Sequence, residues 1–412
     1  MPMTTKSCET EFIVSLTVMT SLGALSIDTV LPALQQISES FGLVTGNSVQ
    51  IIIGILFLGM TIGQLIYGPL SDSIGRKPVL LIGIAIFMLG SLMSVLADSF
   101  DVMLTGRFLQ GFGAAALRIV PLAIVRDKYE GASMARIMSL SMSVFIMIPI
   151  LAPILGQGII SIADWRAIFW CLFILSFLAA IWIWLRQPET LPSQRRNNCG
   201  LKSIQQGLSA TLSNKKTCSY MIALGLLQGV FMGYIMSAEQ IYREFFNVGE
   251  QFVLYFALAA ASIGIASVLN ARLVKYFDLE KICFYALLSM IITSGLICII
   301  NSDNSLSLMS FMIALSAIFF CFGLLMSNMN AIALKPLGHI AGLANSTISF
   351  ISSCIALFIG SFIGGLFNMS VQPLMFGVLA AGMLSIIAIT SVKYFPKTID
   401  EISLANIINS EK

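Results

Sequence analysis

The sequence predicts an all-α polytopic membrane protein of twelve transmembrane helices in two pseudo-symmetric six-helix halves. Three observations predict it. Of 412 residues, 57% are hydrophobic and only 10% are charged, where soluble domains carry about 25% charged residues; the mean hydropathy is +0.92. Apolar runs close to the ~20 residues that cross a bilayer as a helix recur along the whole chain, falling into two sets of six on either side of a polar, basic stretch. The basic residues between these runs are confined almost entirely to one side.

The first set of spans is read at 12–35, 49–69, 79–97, 102–125, 137–160 and 167–186, and the second at 219–241, 251–272, 280–300, 306–329, 340–366 and 372–392. The expected organisation is therefore an N-terminal half (1–186), a linker (187–216), a C-terminal half (217–392) and a tail (393–412). The linker bears Pro188, Pro192, Arg195, Arg196, Lys202, Lys215 and Lys216, a composition of turns and solvated surface with room for one short surface helix. The first eleven residues hold one lysine and two glutamates ahead of an apolar run with no small-residue cleavage site, so the N-terminus reads as a retained anchor. Gly59 with Gly63, and Gly360 with Gly364, have the small-xxx-small spacing that lets helix backbones approach.

Of the 23 Lys and Arg residues, all but four fall on one side when the N-terminus is placed inside. The exceptions are Arg107 and Arg118 within the fourth span, and Arg166 and Arg243 on the far side. The positive-inside rule then sets both termini in the cytoplasm.

Several function classes are excluded. The single histidine, His339, has no second histidine with which to share a metal, and the eight cysteines show no Cys-x-x-Cys, so neither a metal nor a cofactor is expected. No phosphate-binding loop is present, so no nucleotide is expected. Nothing implies a nucleic-acid partner. No His pair, Ser/His pair or pair of carboxylates at matching depth suggests an intramembrane enzyme.

The charges inside the spans carry the functional signal, because ionisable side chains at bilayer depth face a bundle interior or a watery cavity. Arg107 and Arg118 are eleven residues apart, which places them within about 20° of one helical face and roughly 16 Å apart along the axis. Asp28 lies at a depth within about one turn of Arg107, and we expect the two to pair. Asp28 then reads either as a proton-exchanging carboxylate that also meets substrate or as the neutralising partner of Arg107. Glu239 is a second candidate for proton coupling, with an i, i+4 ion pair to Arg243 as the alternative. Arg118 has no acid at its own depth. It reads either as the residue that docks an anionic substrate group or as a tie to backbone carbonyls.

The loop GPLSDSIGRK, residues 68–77, is the most specific short signal. Gly68 and Gly75 permit a tight turn, and Arg76 with Lys77 anchors the loop on the inner side. It resembles the signature loop of the major facilitator superfamily at every specified position. By that resemblance the loop, with Gly68, Asp72, Gly75, Arg76 and Lys77, is a conformational latch. Arg76 would pair with Asp127, and Asp72 would sit against helix eleven. The stretch GRFLQGFGAAA (106–116) is similar to the superfamily's helix-four motif, whose buried arginine matches Arg107. The stretches RIVPLAIVRDKYEGASMARIMS, DWRAIF, SIDTVLPAL, LNARLV and NAIALKPLGHIAG resemble the bicyclomycin/chloramphenicol-resistance (Bcr/CflA-type) branch of drug:proton antiporters.

What the resemblance implies is a twelve-helix facilitator fold in a bacterial inner membrane, with helices one, four, seven and ten lining a central cavity. It implies a monomer that exports small molecules or drugs by alternating access, with protons as the coupling ion. The antiporter pattern of helix five is met only in part: Pro149, Pro153 and Gly156 are present, whereas Ser139 and Ile148 stand where glycines are expected. Lys335 stands where the branch has an acid. The alternatives are a dedicated exporter of an endogenous anionic metabolite, such as a carboxylate siderophore, and, from another class, a transport-dead membrane sensor or scaffold.

Overall fold

The structure is a computed structural model that describes residues 5–43, 46–129, 131–192, 194, 196, 201–301 and 306–394. The tail beyond residue 394 and linker positions 193, 195 and 197–200 lie outside the described residues. The helices are α1 (Thr5–Asp28), α2 (Leu34–Ser40), α3 (Ile51–Ile74), α4 (Arg76–Val95), α5 (Phe100–Lys128), α6 (Gly131–Ile160) and α7 (Arg166–Arg186), followed by α8 (Leu201–Ser213), α9 (Lys215–Gln240), α10 (Phe252–Leu273), α11 (Leu279–Ile300), α12 (Leu308–Leu334), α13 (Ala341–Gly365) and α14 (Gln372–Tyr394). Twelve of these, all but α2 and α8, are 20 to 30 residues long, and no strand occurs among the described residues.

Two expected boundaries are corrected. The first span is not one continuous helix from 12 to 35: α1 stops at Asp28, and the chain passes through a 3-10 turn at Leu31–Ala33 before α2. Pro32 is the cause. In a continuous helix its N–H would bond the carbonyl of Asp28, and proline has no N–H to give. The second correction concerns the GPLSDSIGRK loop, most of which is helical. Helix α3 runs through Pro69 to Ile74, and the reversal into α4 is made at Gly75 alone, with φ of +112°, a conformation open mainly to glycine. Gly68 serves a different purpose. It is a point of close approach, where an added Cβ would lie 3.3 Å from Ser346 Oγ of α13.

Helix α5 is the centre of the N-terminal half. Ser99 caps it by accepting from Val102 N, Asp101 lies in its first turn, and Arg126 and Lys128 lie in its last, a charge order that suits the helix dipole. Small residues let its neighbours close in: a Cβ on Gly59 of α3 would strike the carbonyl of Phe108, and one on Gly83 of α4 would strike Ala116. Helices α1 and α6 pack on α5 as well. In the C-terminal half, α9 packs against α12, α13 and α14, with Gly360 of α13 against Met232 and Gly364 against Met236, as the small-xxx-small spacing leads one to expect. The halves meet where α3 packs on α13 and α6 on α10. The linker helix α8 rests on α13, with Gly207 against Leu343.

The candidate pathway and its latch

The end of the bundle that carries the basic loops is held by one arginine. Arg76, at the start of α4, is 7% exposed. Its Nε donates to Asp127 Oδ2 at 2.8 Å, and its Nη1 donates to Ser71 Oγ at 2.7 Å and to Asp72 Oδ1. The expected Arg76–Asp127 pair is present, joining the last turn of α5 to the first turn of α4. Asp72 turns to Arg76, four residues on along the chain, and makes no hydrogen bond to α13 among the described residues. Lys77 donates from Nζ to the carbonyl of Trp184, at 2.7 Å.

A further member, Glu189, was not singled out in the sequence. It lies in the linker, three residues past the end of α7, and its carboxylate accepts from the backbone N–H groups of Arg76, Lys77, Thr190 and Leu191. Burial opposes its charge, but these four donors prevail and hold its carboxyl below the usual carboxylate range. Thr190 Oγ1 donates to Asp127 Oδ2 at 3.3 Å. The linker is thereby sewn to the same two helix ends that Arg76 joins.

Deeper in α5, Arg107 is wholly buried, but its partner is not Asp28. Nη1 donates to the carbonyl of Ser26 at 2.9 Å and to Gln110 Oε1 at 2.6 Å, and Nε reaches the carbonyl of Ile52 at 3.4 Å. Gln110 in turn donates to Ser91 Oγ of α4 at 2.8 Å, and the guanidinium lies over the Phe169 ring of α7, 5.7 Å from its centroid. Arg107 therefore ties α1, α3, α5 and α7 directly, and α4 through Gln110. The expected Asp28–Arg107 ion pair does not form. Depth was right and azimuth was wrong: Asp28 is two residues beyond Ser26, or about 200° further round α1.

Asp28 itself is 5% exposed and has no salt bridge or hydrogen bond among the described residues. It occupies the last helical position before the break in α1, with Tyr234 of α9 in electrostatic range from the other half. Gly156 of α6 lies against this same break, where a Cβ would collide with the carbonyl of Thr29. Pro149 and Pro153 remove two hydrogen bonds from the interior of α6, and Pro153 is buried one turn from Gly156. The side chain of Ser139 lies outside the described residues.

Glu239, 7% exposed, pairs with Arg243 at 3.3 Å, the i, i+4 arrangement. Arg243 also donates to Gln35 of α2 at 3.0 Å. Beside it Gln50 donates to Gln240, so among the described residues the end of the molecule opposite the Arg76 cluster is bridged between halves by these two polar contacts. Lys335 is exposed at the end of α12. Arg118 faces neither acid nor carbonyl: it is exposed and has no hydrogen bond or ion pair among the described residues. No cluster of His, Cys, Asp and Glu suited to a metal occurs among the described residues.

Comparison with known proteins agrees with this architecture. A family model described as Major Facilitator Superfamily matches residues 16–361. The chain is 28% identical over 346 residues to an uncharacterized MFS-type transporter, YdgK, of Bacillus subtilis, covering 83% of this chain and 86% of that one. It is 28% identical over 378 residues to a bicyclomycin resistance protein homolog of Haemophilus influenzae, covering 92% and 94%, and 26% identical over 300 residues to the multidrug resistance protein MdtL of Escherichia coli, covering 72% and 74%. Among solved structures, the human organic anion transporter MFSD10 superposes with a TM-score of 0.69 at 15% identity over 93% of this chain and 99% of that one. The xylose transporter XylE of E. coli, in a partially occluded inward-open conformation, superposes with a TM-score of 0.67 at 14% identity over 94% and 98%. With that match over most of its length and relatives named for bicyclomycin and multidrug resistance, the chain belongs to the major facilitator superfamily, as a transporter and not an enzyme.

Proposed function

We propose that this transporter is a proton-coupled antiporter that exports small molecules across the inner membrane by alternating access, working as a monomer with both termini in the cytoplasm. The observation that carries the reading is Asp28, a carboxylate buried at membrane depth with no cation within salt-bridge reach among the described residues. An isolated charge is costly there. It must be neutralised by a proton or by a bound cation, which makes Asp28 the group that exchanges a proton as the cavity changes sides. Its place at the break of α1, against Gly156 of the partial antiporter pattern, supports a shared role for α1 and α6 in that change.

In this reading the basic end of the bundle is cytoplasmic, as the distribution of Lys and Arg supports. The Arg76–Asp127–Glu189 cluster is then the cytoplasmic latch, residues 1–186 and 217–392 are the moving halves, and residues 187–216 are the linker. Relatives named for bicyclomycin and multidrug resistance support export over uptake. Glu239 is less suited to proton exchange than Asp28, because Arg243 already occupies it.

The test is transport in reconstituted vesicles with an imposed pH gradient. Asp28→Asn keeps the size and polarity of the side chain and removes the exchangeable proton. It is expected to abolish gradient-driven transport while leaving the protein folded. Undiminished gradient-driven movement in the variant would reduce Asp28 to a structural residue and remove the basis for proton coupling.

A further inference from the structure

We infer that Arg118 docks a negatively charged group of the transported molecule, and that this group is a carboxylate. The inference rests on the reading of the space between the halves as a transport cavity and assigns it a substrate class. Arg107 and Arg118 are the same residue type on nearly the same face of α5, and the structure treats them oppositely. Arg107 is wholly buried and bonded to three protein oxygens. Arg118 is exposed and bonded to none among the described residues. The alternative in which it ties α5 to neighbouring carbonyls does not hold in this structure.

Its direction follows from its neighbours. Gly113 faces α4, where a Cβ would run into Gly83 and Phe87, and Arg118, five residues on, is turned about 140° from that contact. Ala114 meets Gly23 of α1, and Ala115 meets Gly63 of α3. The arginine therefore leaves α5 between α1 and α3, away from α4 and towards the C-terminal half, on which α3 itself packs. Among the described residues no acid shares its level. Gly23 is level with Ala114, one turn from Arg118, whereas Asp28 lies beyond Gly23 away from the latch end. Arg126 and Lys128, the next bases, lie in the last turn of α5.

One accessible guanidinium with no counter-charge among the described residues asks for one negative charge. A carboxylate supplies it and matches the fork with two parallel hydrogen bonds. A phosphate dianion would bring a second charge with no partner, and a cationic molecule would meet repulsion.

The test is thermal stabilisation of the purified full-length transporter by benzoate, naphthoate and phenylbenzoate, each beside its carboxamide, its methylamine and its phosphonate counterpart. Wild type is expected to be stabilised by carboxylates in preference to the other three classes. Arg118→Gln is expected to weaken the carboxylate response at least about tenfold and to leave the amide response unchanged, while Arg118→Lys retains part of the carboxylate preference. Equal responses to carboxylate and amide in wild type, the absence of any carboxylate response, or a phosphonate preference would each overturn the assignment. So would a uniform loss in Arg118→Gln and Arg118→Lys together with lower melting temperatures without ligand, which marks a structural residue. The same preparations in vesicles separate this inference from the exporter reading: failure of a pH gradient to drive transport sinks that reading and leaves a carboxylate preference at Arg118 standing.

Discussion

Arg107 donates to the backbone carbonyl of Ser26, 2.9 Å away, and leaves Asp28, two residues on, without a cation among the described residues. The arginine is a tie between helices, and the carboxylate is free for another purpose. Energetically the two should be independent, since residues in contact couple by about 0.5–3 kcal/mol while independent ones add within roughly 0.5 kcal/mol. Arg107→Lys loses the spread of donors that reaches Ser26, Gln110 and Ile52, and is expected to destabilise the protein by about 2–4 kcal/mol. Asp28→Asn is expected to cost little. Melting of the two single variants and the double variant in detergent checks this, and a coupling above about 1 kcal/mol would restore the ion pair.

The latch gives a second expectation. Arg76 joins α4 to Asp127 of α5, and if this contact belongs to the state closed at the basic end, removing either partner shifts the population towards the open state by about 1–3 kcal/mol. Reactivity of a cysteine introduced as Ser71→Cys should rise in both Arg76→Gln and Asp127→Asn backgrounds, measured from the basic face. Unchanged reactivity in Asp127→Asn would sever the pair from the conformational change.

Much of this was legible in the sequence, for reasons particular residues make clear. The spans follow from composition alone, and the Arg76–Asp127 contact from the loop's resemblance to a known signature. The break after Asp28 is marked by Pro32, four residues on, but the unbroken apolar run around it masks the signal. The Arg107–Asp28 pairing failed because matching depths along two helices says nothing about azimuth, and Ser26 and Asp28 point different ways. By residue type Gly68 suits a turn, whereas in the structure it lies inside α3 at a close approach to Ser346, a tertiary fact. Glu189 could not be found by any span argument, because its partners are backbone N–H groups that it meets only once the linker has folded back.

Glu189 gives the Arg76 cluster an expected acid sensitivity of definite sign. Its carboxyl is held below its usual range in the folded protein, so its ionised form binds the N–H donors and its stabilising contribution is fully present above the unfolded-state value. That contribution is lost as pH falls through the folded-state value. Labelling at Ser71→Cys, taken relative to an exposed reference cysteine at the same pH because the reacting thiolate itself declines in acid, should therefore rise as the buffer at the basic face is brought below the ordinary glutamate range, with a flatter profile when Glu189→Gln is added. Parallel profiles in the two proteins would assign the acid response to another group.

At the opposite end, Gln50 of the N-terminal half donates to Gln240 of α9, Arg243 donates to Gln35, and Gly54 lies against Met236 and Ser361. These contacts join the halves at the far face, and in the proposed alternating-access cycle opening at that face would break them. A short thiol crosslink between Gln50→Cys and Gln240→Cys is thus expected to form readily in the resting protein and to stop transport, with recovery when the link is reduced. The effect has to exceed that of the two substitutions without the crosslinker, because each alone removes the buried Gln50–Gln240 hydrogen bond and costs about 1 kcal/mol. Full transport through the crosslinked protein would mean that this end does not open, and that the route between the halves lies elsewhere.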